Sequence, residues 1–177
     1  ARRAGDVVRR LRDFFRTGAT KLETVALRQI IEAAAEHYKT KAQQTEIQFL
    51  VAEVPEIMLL ADQLQLEVVL RNLLSNAFEA VAVADVTGRQ VSIHAERLPG
   101  ERVIICVEDS GAGLTSQDAE RAFESFYSSK SSGMGLGLVI SRAIAETHGG
   151  SLWGEVADHG VFKLVLPIQE SPKTPTS

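Results

Sequence analysis

The residues with the clearest capacity for chemistry are glycines at alternate positions, in the run Gly133-Met134-Gly135-Leu136-Gly137-Leu138, just ahead of an apolar segment of helical period. Glycines there let backbone N–H groups converge on an oxyanion, and a helix starting near Leu138 points its positive end at the same place. Spacing excludes the two familiar phosphate loops. No Lys-Ser or Lys-Thr pair follows the last glycine, as a Walker loop requires. The pattern is GxGxG after a polar stretch, where a dinucleotide fingerprint needs GxGxxG after a buried strand. A mobile Gly/Ser turn stays open as the alternative for a glycine cluster on its own.

Two further groups supply what the glycines lack. In Val107-Glu108-Asp109-Ser110-Gly111-Ala112-Gly113-Leu114 a carboxylate stands at the end of an apolar strand with glycines at alternate positions after it. An ordinary Asx turn is one reading. The other is recognition of a flat base: a carboxylate only accepts hydrogen bonds, so it selects a donor such as the adenine amino group and repels the carbonyl of guanine. In Leu70-Arg71-Asn72-Leu73-Leu74-Ser75-Asn76-Ala77-Phe78-Glu79-Ala80, Asn72, Asn76 and Glu79 fall within roughly 60° on a helix of about 100° per residue. Solvated asparagines on a plain surface are the alternative, although asparagine is a poor helix former to use twice. An amide oxygen is a hard, neutral ligand suited to Mg²⁺, which keeps several waters and shares its shell with phosphates.

The elements that must position these groups follow from hydrophobic period and turn residues. Strands are expected over 21–27, 47–52, 57–60, 91–97, 102–107, 151–156 and 161–166, and helices over 28–44, 63–82, 117–124 and 138–148. Gly149 and Gly150 close the last helix, with His148 expected as a residue of its final turn and not as a catalytic base. Strands and helices come in adjacent groups with several hairpins. That pattern predicts an α/β (α+β) fold with one mixed sheet under a helical layer, and argues against a doubly wound parallel sheet.

Composition narrows the class. A chain of 177 residues, 45% hydrophobic and 24% charged, suits one globular domain plus an extra element. No apolar run reaches the roughly 20 residues of a membrane span, no secretory signal is indicated, and the single Cys106 reads as an inert buried thiol in a reducing cytoplasm. The net charge of −4 is unevenly spread: residues 1–16 carry six arginines against Asp6 and Asp13, hence +4, whereas the remainder is −8. So acidic a body speaks against a general nucleic-acid binder. The basic start also carries Ala4, Val7, Val8, Leu11, Phe14 and Phe15 at helical spacing. Three readings compete for it: a membrane-surface helix, a nucleic-acid arm, or half of a helical hairpin, the last favoured by its uncovered phenylalanines.

Taken together, Asn72-Leu-Leu-Ser-Asn76-Ala, Asp109-Ser-Gly111-Ala-Gly113, Phe123-Glu-Ser-Phe126-Tyr-Ser-Ser-Lys130 and Gly133-Met-Gly135-Leu-Gly137-Leu resemble, in order and separation, the N, first glycine, F and second glycine boxes of sensor histidine kinases. The wording is similar to that of the oxygen-sensing and nitrogen-regulatory kinases. The resemblance implies the two-layer Bergerat ATP-binding fold of the gyrase, Hsp90, histidine kinase and MutL superfamily over residues 19–168. It further implies that residues 1–18 end the second helix of a dimerising, phosphoacceptor hairpin and that 169–177 is a flexible tail or linker.

Carried over residue by residue, it implies ATP and Mg²⁺ as cofactors, with Asn76 as metal ligand, Asp109 on the adenine amino group, and Gly111 and Gly113 shaping the base pocket. Lys130, Gly133, Met134, Gly135, Leu136, Gly137 and Leu138 would flank the phosphates as a glycine-hinged lid. Asn72 and Lys130 would be the catalytic groups, Asn72 standing where hydrolytic relatives place a glutamate. An amide cannot take a proton, so hydrolysis should be slow and the γ-phosphoryl kept for a protein acceptor. The implied partners are a phosphoacceptor helix of the same or a sister chain and a response-regulator receiver domain, in a homodimeric parent, with no nucleic acid and no membrane contact in this segment. The family's acceptor histidine is not expected among His37, His94, His148 and His159, so autophosphorylation of this chain is not expected. Asp158-His159-Gly160-Val161-Phe162 departs from the family's third glycine region, which is read as leaving the nucleotide site intact. A superfamily serine kinase or anti-sigma factor and a non-catalytic ATP-binding adaptor are the rival readings.

Overall fold

The computed structural model describes residues 19–85, 87–124 and 136–169. The expectations for residues 1–18, for the tail after Gln169, and for Lys130, Gly133, Met134 and Gly135 therefore lie outside the described residues. Within them the order is β1 (Glu23–Ala26), α1 (Leu27–Thr45), β2 (Gln48–Val51), β3 (Met58–Ala61), α2 (Gln63–Val83), β4 (Gln90–Leu98), β5 (Arg102–Asp109), α3 (Ser116–Arg121), α4 (Gly137–Thr147), β6 (Ser151–Gly154) and β7 (Gly160–Pro167).

Five strands form one sheet in the order β2-β4-β5-β7-β6, with β2 parallel to β4 and every other pair antiparallel. One mixed sheet was expected from the sequence, yet β1 and β3 pair with each other as a separate antiparallel ribbon. The reason is local: β1 runs straight into α1, whose first N–H is bound by Ile57 O at 2.9 Å, so the ribbon closes on itself beside the helix. Strand β6 ends at Gly154, two residues short of expectation, and Val156 instead makes an isolated parallel bridge with Leu114.

Alternation along β4 and β5 sends Val91, Ile93, Val103, Ile105, Val107 and Asp109 to the helical side, where they are buried. Helix α2 occupies the middle of the helical layer, and its broad apolar arc, including Leu66, Leu70, Leu73, Leu74 and Val81, is fully buried. Phe78 locks it against α1 and the sheet edge, its ring centroid 5.1 Å from that of Tyr38 and 5.4 Å from that of Phe49. A helix with this much buried surface is held by packing, which fixes its rotation and hence where its polar stripe points.

The start of α2 is a junction. Asp62 is its N-cap: Oδ1 accepts from Gln65 N at 3.1 Å, and Oδ2 accepts from Lys21 N, 2.9 Å away, where the chain enters the domain. Asp62 N in turn donates to Nε2 of the buried His148 at 3.0 Å. Because a backbone N–H can only donate, Nε2 must be the acceptor, so His148 Nδ1 carries the proton and donates to Ile144 O at 2.8 Å. His148 is thus the C-cap residue of α4, as the sequence suggests, with both ring nitrogens engaged in structure.

On the other face of the sheet, Cys106 lies between His94 and Lys163 on the neighbouring strands. It is 4% exposed, and burial pushes its thiol up to about 11. Since the thiolate is the reactive form, labelling by a maleimide at pH 8 is expected to run on the order of 100-fold slower than for a free cysteine, and to become complete on unfolding in urea. Rapid labelling of the native protein would contradict the inert assignment.

Candidate functional site

Asn72, Asn76 and Ala80 fall at i, i+4 and i+8 on α2, one face of a single rigid helix, and span roughly 12 Å at 1.5 Å per residue. Each end of this line meets a different part of the chain. At one end, Asn72 Nδ2 donates to Gly137 O at 3.2 Å and to Ser141 Oγ at 3.1 Å, both on α4. At the other, Ala80 packs so tightly on the loop after β5 that a Cβ on Gly111 would stand 3.0 Å from the Ala80 Cβ. Asn76 lies midway, half-buried, and its side chain makes no hydrogen bond among the described residues. Glu79, expected on the same face, accepts from Ser75 Oγ at 3.0 Å.

The carboxylate arrives from the sheet. Asp109 is the last residue of β5, 7% exposed, paired in register with Val91 on one side and Gly160 on the other. Its Oδ1 accepts from Gly111 N at 2.8 Å, which holds the carboxylate in one orientation. Space around it exists only because its neighbours lack side chains: a Cβ on Gly111 would stand 2.7 Å from Oδ1, and one on Gly160 only 2.0 Å from Oδ2. Gly113 presses on the β6–β7 loop in the same manner, a Cβ there falling 1.9 Å from Ala157 O. The sequence marks Asp158-His159-Gly160-Val161-Phe162 only as a departure from the third glycine region and gives it no role at the nucleotide site, whereas the structure sets Gly160 against Asp109 and the 157–159 backbone against Gly113. The one signal available was a glycine opening a strand, which any tight turn also produces.

The glycine-rich run contributes through its end. Helix α4 starts at Gly137, one residue before the expected start; Leu136 is buried at its N-cap, and Leu138 packs half-buried against the core. The structure therefore joins Asn72 to Gly137 directly, and Asp109 to Gly111 directly, with Asn76 between the two groups on α2. Asp109 also borders a cavity of about 250 Å³ whose other walls are Gly88, Gln90, Ser92, Glu108, Ser110 and His159, and which includes none of the other expected site residues. That cavity carries carboxylates around an imidazole. A hydrogen bond from His159 to Asp158 (2.8 Å), with Glu108 also near, holds the His159 pKa above the ordinary histidine value.

As to metals, the described residues contain no group of three or more His, Cys, Asp or Glu side chains that could hold an ion. A cation at Asn76 would thus be held by one neutral amide oxygen and would draw its remaining ligands from water and a bound anion. This donor set fits Mg²⁺ shared with phosphates and suits neither zinc nor a protein-caged calcium.

Comparison with known proteins agrees with this fold. The family described as histidine kinase-, DNA gyrase B-, and HSP90-like ATPase matches residues 61–170, more than half of the chain. Sensor protein FixL of Bradyrhizobium diazoefficiens is 34% identical over 173 residues, covering 96% of this chain and 34% of FixL. The chain therefore spans about a third of that relative's length. Among solved structures, the mycobacterial sensor histidine kinase MprB superposes with a TM-score of 0.73 at 25% identity, over 85% of this chain and 100% of that one. Full-length ShkA in complex with AMPPNP gives 0.74 at 25% identity, over 87% and 32%.

Proposed function

The chain belongs to the histidine kinase-, DNA gyrase B- and HSP90-like ATPases, and from that premise we propose that it is the ATP-binding catalytic part of a sensor histidine kinase. It transfers the γ-phosphoryl group of Mg-ATP to a histidine on a dimerisation helix, for relay to an aspartate of a response regulator. The observation that carries this reading is the line along α2: one helix face touches the glycine-run helix at Asn72 and the Asp109–Gly111 loop at Ala80. Asn76, with no partner among the described residues, lies between them. The AMPPNP complex of the similar ShkA supports the choice of nucleotide.

In this reading Asp109 Oδ2 accepts from the adenine amino group while Gly111 N–H holds Oδ1, and the bare Gly111 and Gly113 let the base lie against the backbone. Asn76 would hold the Mg²⁺, whose role when bound is to neutralise charge on the phosphates. Phosphoryl transfer of this kind needs positioning more than covalent help from the protein. Asn72 and Asn76 are amides that cannot act as bases, so they give water no activation and spare the γ-phosphoryl for its protein acceptor.

We also place that acceptor outside the described histidines. Both nitrogens of His148 are already bonded. His94 and His159 stand among Glu96, Glu108 and Asp158, carboxylates that repel a phosphate. His37 lies on α1, packed edge-on to Tyr38.

Titration with a fluorescent ATP analogue tests the proposal. Saturable binding that tightens on adding Mg²⁺ is expected, and Asn76→Ala should remove about tenfold of affinity in Mg²⁺ while leaving Mg-free binding nearly unchanged. Absence of saturable binding would refute the assignment. Incubation with γ-labelled ATP alone should leave no acid-labile phosphate on this chain.

A further inference from the structure

Ser141 lies one helical turn after Gly137 on α4 and is 0% exposed, a hydroxyl sealed between helices. Its Oγ is 3.1 Å from Asn72 Nδ2, and the same nitrogen lies 3.2 Å from Gly137 O. An amide can face a neighbour with its nitrogen or, after a flip, with its oxygen. A carbonyl oxygen has no proton to give, so Gly137 O admits only the nitrogen, and Ser141 Oγ offers that nitrogen's second hydrogen an acceptor. With both amide hydrogens drawn to α4, Asn72 Oδ1 is fixed beside the start of that helix, 3.9 Å from where a Cβ on Gly137 would stand, and it accepts no hydrogen bond among the described residues.

We propose that Ser141 is a positioning residue that, together with Gly137 O, clamps the Asn72 amide so that Oδ1 is presented as an acceptor to the water shell of the nucleotide-bound Mg²⁺. The inference rests on the reading of this cleft as a Mg-ATP site and adds to it a residue that never touches the ligand. Ser141 acts through Asn72. Losing the hydroxyl leaves the Gly137 O bond alone to hold the amide, which can then pivot about that one contact, so the acceptor is held less firmly. Binding contacts to the base, made some 12 Å along α2, are unaffected.

The test measures affinity for a fluorescent ATP analogue with and without Mg²⁺, for the wild type and for Ser141→Ala, Ser141→Cys, Asn72→Ala and the double variant Asn72→Ala/Ser141→Ala. Ser141→Ala is expected to lose about tenfold in Mg²⁺ and less than about twofold in its absence, the size of one neutral hydrogen bond. Ser141→Cys, of similar volume with a weaker acceptor, should fall between serine and alanine, and it carries the test if the alanine variant fails to fold. The double variant should bind no worse than Asn72→Ala, since both changes remove one interaction. Equal losses with and without Mg²⁺, no loss at all, or additive losses in the double variant overturn the inference while leaving the nucleotide site standing. A wild type that binds no nucleotide removes both.

Discussion

Asp109→Asn is expected to weaken binding of adenine nucleotides by about 100-fold while shifting the thermal midpoint by only a few degrees. Gly111 N–H needs an acceptor, so the asparagine keeps its oxygen at the Oδ1 position and places its NH₂ where Oδ2 was. A donor then faces the adenine amino donor, and a charge-assisted hydrogen bond is replaced by a clash of like polarity. Guanine carries a carbonyl at that edge, so the same substitution is expected to improve GTP relative to ATP. Competition of the two nucleotides against a fluorescent analogue reads both effects. Unchanged ATP affinity would take base recognition away from Asp109.

Gly160→Ala should be nearly as damaging, although residue 160 lies 51 positions further along the chain and, in the proposed site, touches no ligand. The added methyl would sit 2.0 Å from Oδ2 and 2.4 Å from Cγ of Asp109, far inside van der Waals contact, so the carboxylate must leave its place. Moving it also strands Gly111 N–H, with an expected stability loss of about 1–3 kcal/mol. Nucleotide affinity should fall by about 100-fold, by the same mechanism as loss of the carboxylate itself. In an Asp109→Ala background Gly160→Ala should then add almost nothing, because the atoms it displaces are gone. A full additional loss in that background would mean that residue 160 acts by another route.

How much of this was legible in the sequence depended on whether the signal was local. The polar stripe of α2 could be read because Asn72 and Asn76 stand four apart beside a broad apolar arc on the same helix, and Asp109 because it ends a strongly apolar strand. Strand register was not legible: nothing near Gly160 says that β7 will bring it opposite Asp109. Ser141 reads as a small residue on a buried helix face, and only the approach of Asn72 gives its hydroxyl a purpose. The β1–β3 ribbon escaped for a similar reason, since strands of four residues carry too little alternation to reveal which sheet they join.

Placing the anchor of each end of the site on α2 makes that helix a ruler with a phase. Substitutions along it change one mark at a time, but a single residue inserted between Asn72 and Ala80 turns everything beyond it by about 100° and moves it about 1.5 Å along the axis. Ala80 would then swing off the loop after β5, and Asn76 would swing with it wherever the insertion precedes it. Related sequences should therefore differ freely in loop length, for instance between β2 and β3, while the count from 72 to 80 stays at eight.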